Sequence, residues 1–507
     1  MTSPTELYSE LLKLVHKAAL LESTAAVLGW DRETYMPPGG AEHRASQLSQ
    51  LSGIHHQAAT IPRIAELLNL LQDTELNASP ETDAAANLRE IRRRYERQRR
   101  LPQPLVEEIA RVTALAQHHW SIARQANDYP AFAPWLADVI RLKQEEASAV
   151  GLDNNGEAYD ALLDEYEPAS TSQEVAAVFG QLREKLLPLL DSIRGSNRVP
   201  NESLLVRSYP VKQQEQFGRI VAKAIGFDFD AGRLDVAAHP FCSGTGPNDC
   251  RLTTRYDSHF FNGSFFGTLH ETGHGLYEQG LPNEGWGTPL GQAVSLGIHE
   301  SQSRLWENII GRGRAFWQHF YPRAQEFFPE SLGHTSQDEF LFAINAVKPT
   351  LIRVEADEVT YNLHIMLRFD LERDLIAGNL SVNDLPAAWN ERFRHDFGIT
   401  PKTDADGCMQ DIHWSAGLFG YFPTYALGNM YASQFFEAAR NELGDLDAQF
   451  SVGRFEVLLK WLRDNIHTQG QRFSASRLVE VVTGKSLSDQ PLMRHLSERF
   501  LPLYAGD

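Results

Sequence analysis

The feature that most constrains the fold of this chain is helical periodicity. Apolar residues recur three and four positions apart along much of the sequence, as they do in helices that bury one face. The first such segment contains Leu7, Leu11, Leu14, Val15, Ala18, Leu21 and Ala25. Ser3 and Glu6 have the spacing of a capping box at its start, and the prolines at 37 and 38 end it near Tyr35. A long first helix is therefore predicted.

Later segments repeat these helix signals. Thr171 and Glu174 have the spacing of another capping box, and Pro210 precedes a further apolar pattern of helical period. The segment 335–338 opens one more helix. Strand signals are sparse: the Gly-, Pro- and Asn-rich segment 234–255 predicts a short hairpin or two. The fold class predicted is all-α, or mainly helical, with a small β-hairpin region.

Charge and cysteine content exclude several classes of protein. The chain has 47 Lys and Arg against 66 Asp and Glu, a net charge of −19, which disfavours binding to nucleic acid or to anionic membranes. We see no apolar run long enough to span a bilayer and no signal peptide. Three cysteines without a CxxC pair argue against a disulfide framework or a cysteine zinc site. A soluble cytoplasmic protein is predicted, with no nucleic-acid or membrane partner.

Seven arginines between residues 89 and 100 stand out against this acidic background. They could form a site for an anion or a charged polymer. The alternative is a solvated helix face that pairs with acidic neighbours, which is the more common role of such runs. We favour this second interpretation.

The strongest chemical signal is the HExxH segment formed by His270, Glu271 and His274. On a helix, positions i and i+4 share one face, so both imidazoles can bind one metal ion. Glu271 lies about 100° around the helix axis and can reach a metal-bound water. Ser264 is a candidate N-cap for this helix. The alternative is an ordinary helix whose histidines are satisfied by hydrogen bonds.

A third ligand is expected on a second helix, where His299 and Glu300 are adjacent. Glu300 would complete the His₂Glu set of a catalytic zinc site of the gluzincin type, with the fourth position open to water. His299 is the alternative. Zinc would lower the pKa of its bound water, and Glu271 would accept the proton as general base. Hydrolysis of an amide bond is the reaction that this arrangement predicts.

With these two segments, the sequence resembles the carboxypeptidase Taq family of zinc metallocarboxypeptidases. Five further segments match motifs of that family in the family's order. They are Gly29 to Pro37 (GWDxxTYMP), His239 to Phe241 (HPF), Asp249 to Thr253 (DxRxT), Ile352 to Asp357 (IRxxAD) and Gly407 to Trp414 (GxxQDxHW). The resemblance covers most of the chain.

The resemblance implies a long, deep substrate groove in an almost entirely helical fold, with the hairpin region near the metal. It implies removal of single C-terminal residues, with broad specificity, from peptides that have a free C-terminal carboxylate. It also implies one zinc ion per subunit, which cobalt can replace, and a cytoplasmic homodimer. Because one active site would draw on segments this far apart, residues 1–507 are predicted to form a single domain.

Binding of a free carboxylate calls for a guanidinium group, which can donate two parallel hydrogen bonds. Arg353 is the first candidate and Arg251 the second. Each could instead have a structural ion pair, Arg353 with Asp357 one helical turn away and Arg251 with Asp249. The sequence leaves both possibilities open.

His413 and Tyr425 are candidates for stabilising the oxyanion of the intermediate, because each can donate a hydrogen bond. Tyr421 competes for the same role, and Tyr425 could instead be a packed aromatic residue. His239 could shape the closed end of the groove or anchor a loop.

Two further carboxylates in these motifs, Asp357 and Asp411, are candidate hydrogen-bond acceptors for the ligand imidazoles. Two alternative functions remain at this stage. One is an oligopeptidase or dipeptidyl carboxypeptidase that uses the same metal site. The other is a helical scaffold without enzymatic activity.

Overall fold

The computed structural model describes residues 2–151 and 156–505. It is mainly helical, as predicted. The helices of the first half are α1 (Pro4–Thr34), α2 (Ala41–Ala59), α3 (Pro62–Leu71), α4 (Asp83–Arg100), α5 (Gln103–Ala126), α6 (Tyr129–Val150), α7 (Ala158–Leu163), α8 (Ser172–Arg194) and α9 (Val211–Ala224). Three short strands follow: β1 (Gly232–Val236), β2 (Cys242–Gly246) and β3 (Asp249–Thr254).

The remaining α-helices follow the strands. They are α10 (Phe261–Glu278), α11 (Leu296–Arg304), α12 (Arg314–Phe327), α13 (Pro329–Leu332), α14 (Gln337–Ile344), α15 (Tyr361–Ala377), α16 (Leu385–Phe397), α17 (Pro423–Leu443), α18 (Leu446–Ser451), α19 (Glu456–Asn465), α20 (Ala475–Thr483) and α21 (Gln490–Tyr504). Among the helices of the described residues, none combines the length and the apolar character needed to cross a bilayer.

Two helix starts follow the predicted capping chemistry. At α1, the Ser3 side chain accepts from the backbone N–H of Glu6, and the Glu6 carboxylate accepts from the backbone N–H of Ser3. Thr171 and Glu174 make the same reciprocal pair at α8. Each pair satisfies backbone donors that the first helical turn leaves without partners.

Helix α14 begins within the predicted segment 335–338, and Ser336 and Glu339 make a reciprocal pair of the same kind at its start. One predicted cap is wrong. Ser264 does not cap α10, because it lies inside that helix, 2% exposed, and its hydroxyl hydrogen-bonds to Gln214. The helix begins three residues earlier, at Phe261, where the aromatic ring packs into the core.

The small sheet has β3 at its centre. β2 pairs with it antiparallel and forms the predicted hairpin, whereas β1 pairs with it parallel, so there is one hairpin and not two. The parallel register places Arg233 directly beside Arg251. The hairpin and β3 pack against α10, the helix that carries the HExxH segment.

The chain divides into two compact units. The first comprises residues 2–98, 200–344 and 431–486, and includes the sheet and α10. The second comprises residues 99–151, 156–199, 345–430 and 487–505. A single domain over residues 1–507 stays a prediction.

The arginine-rich segment lies on α4. Arg93 pairs with Glu90, as expected of a helix face with acidic neighbours. Arg89 also donates to backbone carbonyls near residue 471, and Arg94 donates to the side chain of Gln471 at 2.8 Å. Several of these arginines therefore form ion pairs or hydrogen bonds within the protein and are not simply solvated.

Helices α10 and α11 approach each other closely at Gly273. A Cβ atom at that position would lie 2.5 Å from the carbonyl oxygen of Gln302 and 2.6 Å from the Cα of Ser303. Both distances are below the van der Waals limit, and both neighbours are backbone atoms that cannot rotate away. Glycine is therefore required where the two helices touch.

We expect Gly273→Ala to lower the free energy of unfolding by about 1–3 kcal/mol, because the extra methyl forces the two helices apart. Gly180→Ala on α8 is the matched control, since its Cβ would meet nothing within 4 Å. There the change should be neutral or stabilising by up to about 1 kcal/mol. Urea denaturation measures both. Equal stability of the two variants would contradict the close approach.

Candidate metal centre

Three side chains converge in the first unit. His270 and His274 project from one face of α10, and Glu300 reaches them from α11. The Nε2 atoms of His270 and His274 lie 3.7 and 3.4 Å from Glu300 Oε2, and the potential ligand atoms of the group all lie within 4.8 Å of one another. His299 points instead to the far side of His274, with the two Nδ1 atoms 2.5 Å apart. The geometry therefore favours Glu300 over His299 as third ligand.

Charged residues of the same segment hold this group in place. Glu307 Oε2 lies 2.8 Å from Nδ1 of His270, on the side of the ring away from Glu300. Arg304 donates to Glu300 Oε1 at 2.6 Å and to Glu307 Oε2 at 3.2 Å. Arg304 thus occupies one oxygen of Glu300 and leaves the other facing the histidines.

Asp357 and Asp411 do not have the predicted role as acceptors for the ligand imidazoles. The outward Nδ1 atoms of His270 and His274 meet Glu307 and His299. The two aspartates have other partners in the second unit, and that prediction was therefore wrong.

Glu271 is buried next to His270. It is 6% exposed, and its Oε2 atom has no hydrogen-bond partner among the described residues. Burial raises its pKa to about 7. An unpartnered carboxylate oxygen inside a protein is costly unless a ligand or water meets it. Glu271 is therefore placed to exchange a proton with a group that is bound there.

The group of three residues suits a divalent metal. Burial lowers the pKa of His274 to about 3, which keeps the imidazole neutral, the form that binds metal. Burial alone would raise the pKa of Glu300, but Arg304 and His270 outweigh it and lower the pKa, so the carboxylate is ionised. For His270, burial is outweighed by Glu300 and Glu307, and the pKa is raised. Two nitrogens and one carboxylate oxygen are a common catalytic zinc set.

A second cluster lies within the second unit around Asp411. Its carboxylate accepts from Arg353 at 2.8 Å and from Arg368 at 2.7 Å, and all three side chains are largely buried. Arg353 also donates to the hydroxyl of Tyr361 at 3.0 Å. The predicted pair with Asp357 does not form, because Asp357 accepts from backbone N–H groups near residue 360. Two guanidiniums on one carboxylate leave an excess positive charge.

His413 and Tyr425 are neighbours in this unit. His413 Nε2 lies 3.2 Å from the Tyr425 hydroxyl, while its Nδ1 is buried without a hydrogen-bond partner among the described residues. Burial lowers the pKa of His413 to about 3, so the ring is neutral. The ring of Tyr421 lies 5.5 Å from that of His413 but is not the partner of its Nε2. The geometry favours Tyr425 over Tyr421 as partner of His413.

The remaining two candidates lie on the sheet of the first unit. Arg251 makes a two-point ion pair with Asp249 at 2.8 and 2.7 Å, and its guanidinium stacks 4.4 Å from the ring of Trp30 in α1. His239 is exposed in the connection between β1 and β2. That connection is fastened to β3 by Thr253, whose backbone and side chain both bond to Phe241.

Three contributors to the metal centre were not assigned from the sequence: Arg304, Glu307 and Glu278. Arg304 and Glu307 follow Glu300 by four and seven residues, and Glu278 follows His274 by four. Residues at these spacings share a helix face with the ligand. The spacing of these three residues from Glu300 and His274 could therefore have identified them in the sequence.

The arrangement on α10 and α11 is that of a metallopeptidase centre. The family model described as carboxypeptidase Taq (M32) metallopeptidase matches residues 10–500. The chain therefore belongs to the carboxypeptidase Taq family. It is a metallocarboxypeptidase, a peptide hydrolase that uses a divalent metal, and the predicted fold class and enzyme class are confirmed.

Relatives match this chain over its whole length. It is 49% identical over 509 residues to thermostable carboxypeptidase 1 of Thermus thermophilus, covering 99% of this chain and 100% of the relative. It is 36% identical to carboxypeptidase 1 of Bacillus subtilis, covering 98% of each. Among solved structures, M32 carboxypeptidase from Deinococcus radiodurans R1 has a TM-score of 0.95 at 37% identity, covering 99% of this chain and 100% of that one.

A buried carboxylate supports the segment that carries His413. Glu372 accepts from Trp414 Nε1 at 2.8 Å, from the backbone N–H of Gly420 at 3.1 Å and from the Tyr159 hydroxyl at 2.6 Å. It is fully buried. Burial raises its pKa to about 7, since the three donors do not fully replace hydration.

This pKa predicts a pH dependence of stability. A carboxyl whose pKa is 4.5 unfolded and about 7 folded stabilises the fold fully below pH 4.5, and that contribution is lost as pH rises to about 7. We expect the free energy of unfolding of Glu372→Gln, relative to wild type, to rise by about 3 kcal/mol from pH 4.5 to 8. Glu391→Gln, at an exposed site on α16, is the control. If the free energies of unfolding of Glu372→Gln and wild type changed in parallel with pH, the raised pKa of Glu372 would be contradicted.

Proposed function

We propose that this metallocarboxypeptidase binds one zinc ion per subunit through His270, His274 and Glu300 and removes single C-terminal residues from peptides with broad specificity. The convergence of two imidazole Nε2 atoms on one carboxylate oxygen carries the proposal. Cobalt is expected to replace zinc, because its ligand preferences are similar. A cytoplasmic homodimer is part of the proposal and rests on the family resemblance.

Glu271 is proposed as the general base. A bound zinc ion supplies Lewis acidity, which polarises the scissile carbonyl and acidifies water. Glu271 Oε2, which has no partner among the described residues, accepts a proton from the attacking water. The same oxygen then returns the proton to the nitrogen of the leaving amino acid. Its burial prevents bulk water from competing for that proton.

Arg353 is proposed to bind the free C-terminal carboxylate. Its Nε and one N–H each of Nη1 and Nη2 are engaged by Asp411 and Tyr361, so three of the five donors are in use. The excess positive charge of the Arg353–Asp411–Arg368 cluster favours a carboxylate over a neutral amide. Arg251 is the second candidate, since its Coulomb interaction with Asp249 already balances its charge.

His413 and Tyr425 are proposed to stabilise the oxyanion. The unpartnered Nδ1 of His413 can carry a proton and donate it to the oxyanion. The Tyr425 hydroxyl has one proton, which it donates to Nε2 of His413, so Tyr425 acts through His413 by fixing that ring's proton on Nδ1. His239 is proposed to line the substrate-binding region near β2. These roles rest on donor chemistry and burial.

The metal and the base can be tested together. Elemental analysis should find about one zinc per wild-type chain, and His270→Ala should remove it. Glu271→Gln should keep the zinc but lower kcat by about 10³-fold, because the amide cannot accept the proton. Glu284→Gln, at an exposed site in the same unit, should leave both unchanged. A Glu271→Gln protein with full activity would exclude Glu271 as the base.

Peptide termini separate the exopeptidase from the alternative oligopeptidase or dipeptidyl carboxypeptidase. Wild type should release single residues from free-acid peptides, as read by mass spectrometry, and cleave C-terminally amidated ones poorly. Arg353→Lys keeps the positive charge but loses the two-point geometry, and should raise KM for free-acid peptides about tenfold. Arg251→Lys, the same change at the second candidate, is the matched comparison for KM. Release of dipeptides, or equal cleavage of amidated peptides, would overturn single-residue removal.

A further inference from the structure

Behind the proposed ligand His274 lies a chain of hydrogen-bonding groups that the reaction does not use directly. Nδ1 of His274 and Nδ1 of His299 are 2.5 Å apart, and Nε2 of His299 lies 2.8 Å from Glu278 Oε1. The three side chains are between 15% and 23% exposed. They alternate between the two helices: His274 and Glu278 lie on α10, and His299 lies on α11.

The direction of each hydrogen bond follows from the ligand role of His274. Its Nε2 faces Glu300 on the ligand side, so that nitrogen must keep its lone pair for the metal. A neutral imidazole then carries its proton on Nδ1 and donates it to Nδ1 of His299. His299 can accept there only with its own proton on Nε2. That proton in turn points at the Glu278 carboxylate, which can only accept.

We propose that His299 and Glu278 are positioning residues that fix the proton of His274 on Nδ1 and so keep its Nε2 free for zinc. The inference rests on the metal site proposed above and concerns metal affinity. Glu278 selects the tautomer of His299, because the other tautomer would point a lone pair at a carboxylate. His299 then selects the tautomer of His274, because two N–H groups cannot face each other at this distance.

The two ligand histidines are held differently. His270 meets the carboxylate of Glu307 directly, and Arg304 shares that carboxylate. On its Nδ1 side, His274 reaches the carboxylate of Glu278 through the imidazole of His299. Because His299 directly precedes Glu300, one turn of α11 supplies both the third ligand and the group that orients the second ligand. A small shift of α11 would therefore disturb two of the three ligands together.

Zinc affinity of the stripped protein tests the proposal, measured by competition with a chelator. His299→Leu should bind zinc 10- to 100-fold more weakly, because nothing accepts from Nδ1 of His274. His299→Asn should stay within about threefold of wild type, since its amide oxygen can take the place of the Nδ1 acceptor. Glu278→Gln should likewise bind nearly as wild type, whereas Glu278→Met, of similar length without a strong acceptor, should bind more weakly.

A second readout needs no variant. In ¹⁵N spectra of histidine-labelled wild-type protein with zinc, His299 should be protonated on Nε2 and not on Nδ1. Thermal unfolding of each variant checks that it is folded. Protonation of His299 on Nδ1 would overturn the proposal, as would equal losses in His299→Asn and His299→Leu. If wild type binds zinc and His299→Leu binds it equally well, this inference fails and the proposed function stands. If wild type binds no zinc, both this inference and the proposed function fail.

Discussion

The contact between α10 and α11 at Gly273 is the constraint on which the metal centre depends. Without a side chain at that position, the backbone of α11 lies against α10, and Glu300 reaches His270, three residues before Gly273, and His274, directly after it. A bulkier residue would clash with the backbone of α11 at residues 302 and 303 and would move Glu300 away from the two histidines. The ligand set is therefore a property of helix packing as much as of the HExxH segment.

Charge is distributed unevenly between the two clusters. In the first unit, Glu271 is buried close to Glu300 and Glu307, and repulsion from these two carboxylates adds to the burial that raises the pKa of Glu271. A divalent cation removes that repulsion. The opposite holds in the second unit, where two arginines share Asp411. An acidic protein thus keeps one buried site that favours a cation and one that favours an anion.

Much of the fold and of the ligand set could be predicted from the sequence, because both depend on spacings of three to seven residues along helices. The capping pair Ser3–Glu6 and the ligand pair His270–His274 are of this kind. The partner of Arg353 could not be predicted in this way. Proximity in sequence pointed to Asp357, but tertiary packing brings Asp411 from 58 positions away. The cap predicted at Ser264 failed because tertiary packing buries this residue inside α10, which outweighs its capping propensity.

The first unit is assembled from three separate stretches of chain, and this sets an order for its biosynthesis. The proposed zinc ligands and their neighbours lie between residues 270 and 307, near the middle of the protein. Gln302 nevertheless bonds to His467, and Arg94 of α4 bonds to Gln471. A nascent chain carries every ligand long before it contains the segment that closes this unit. Complete enclosure of the site must therefore wait until the ribosome has made the segment that contains His467 and Gln471.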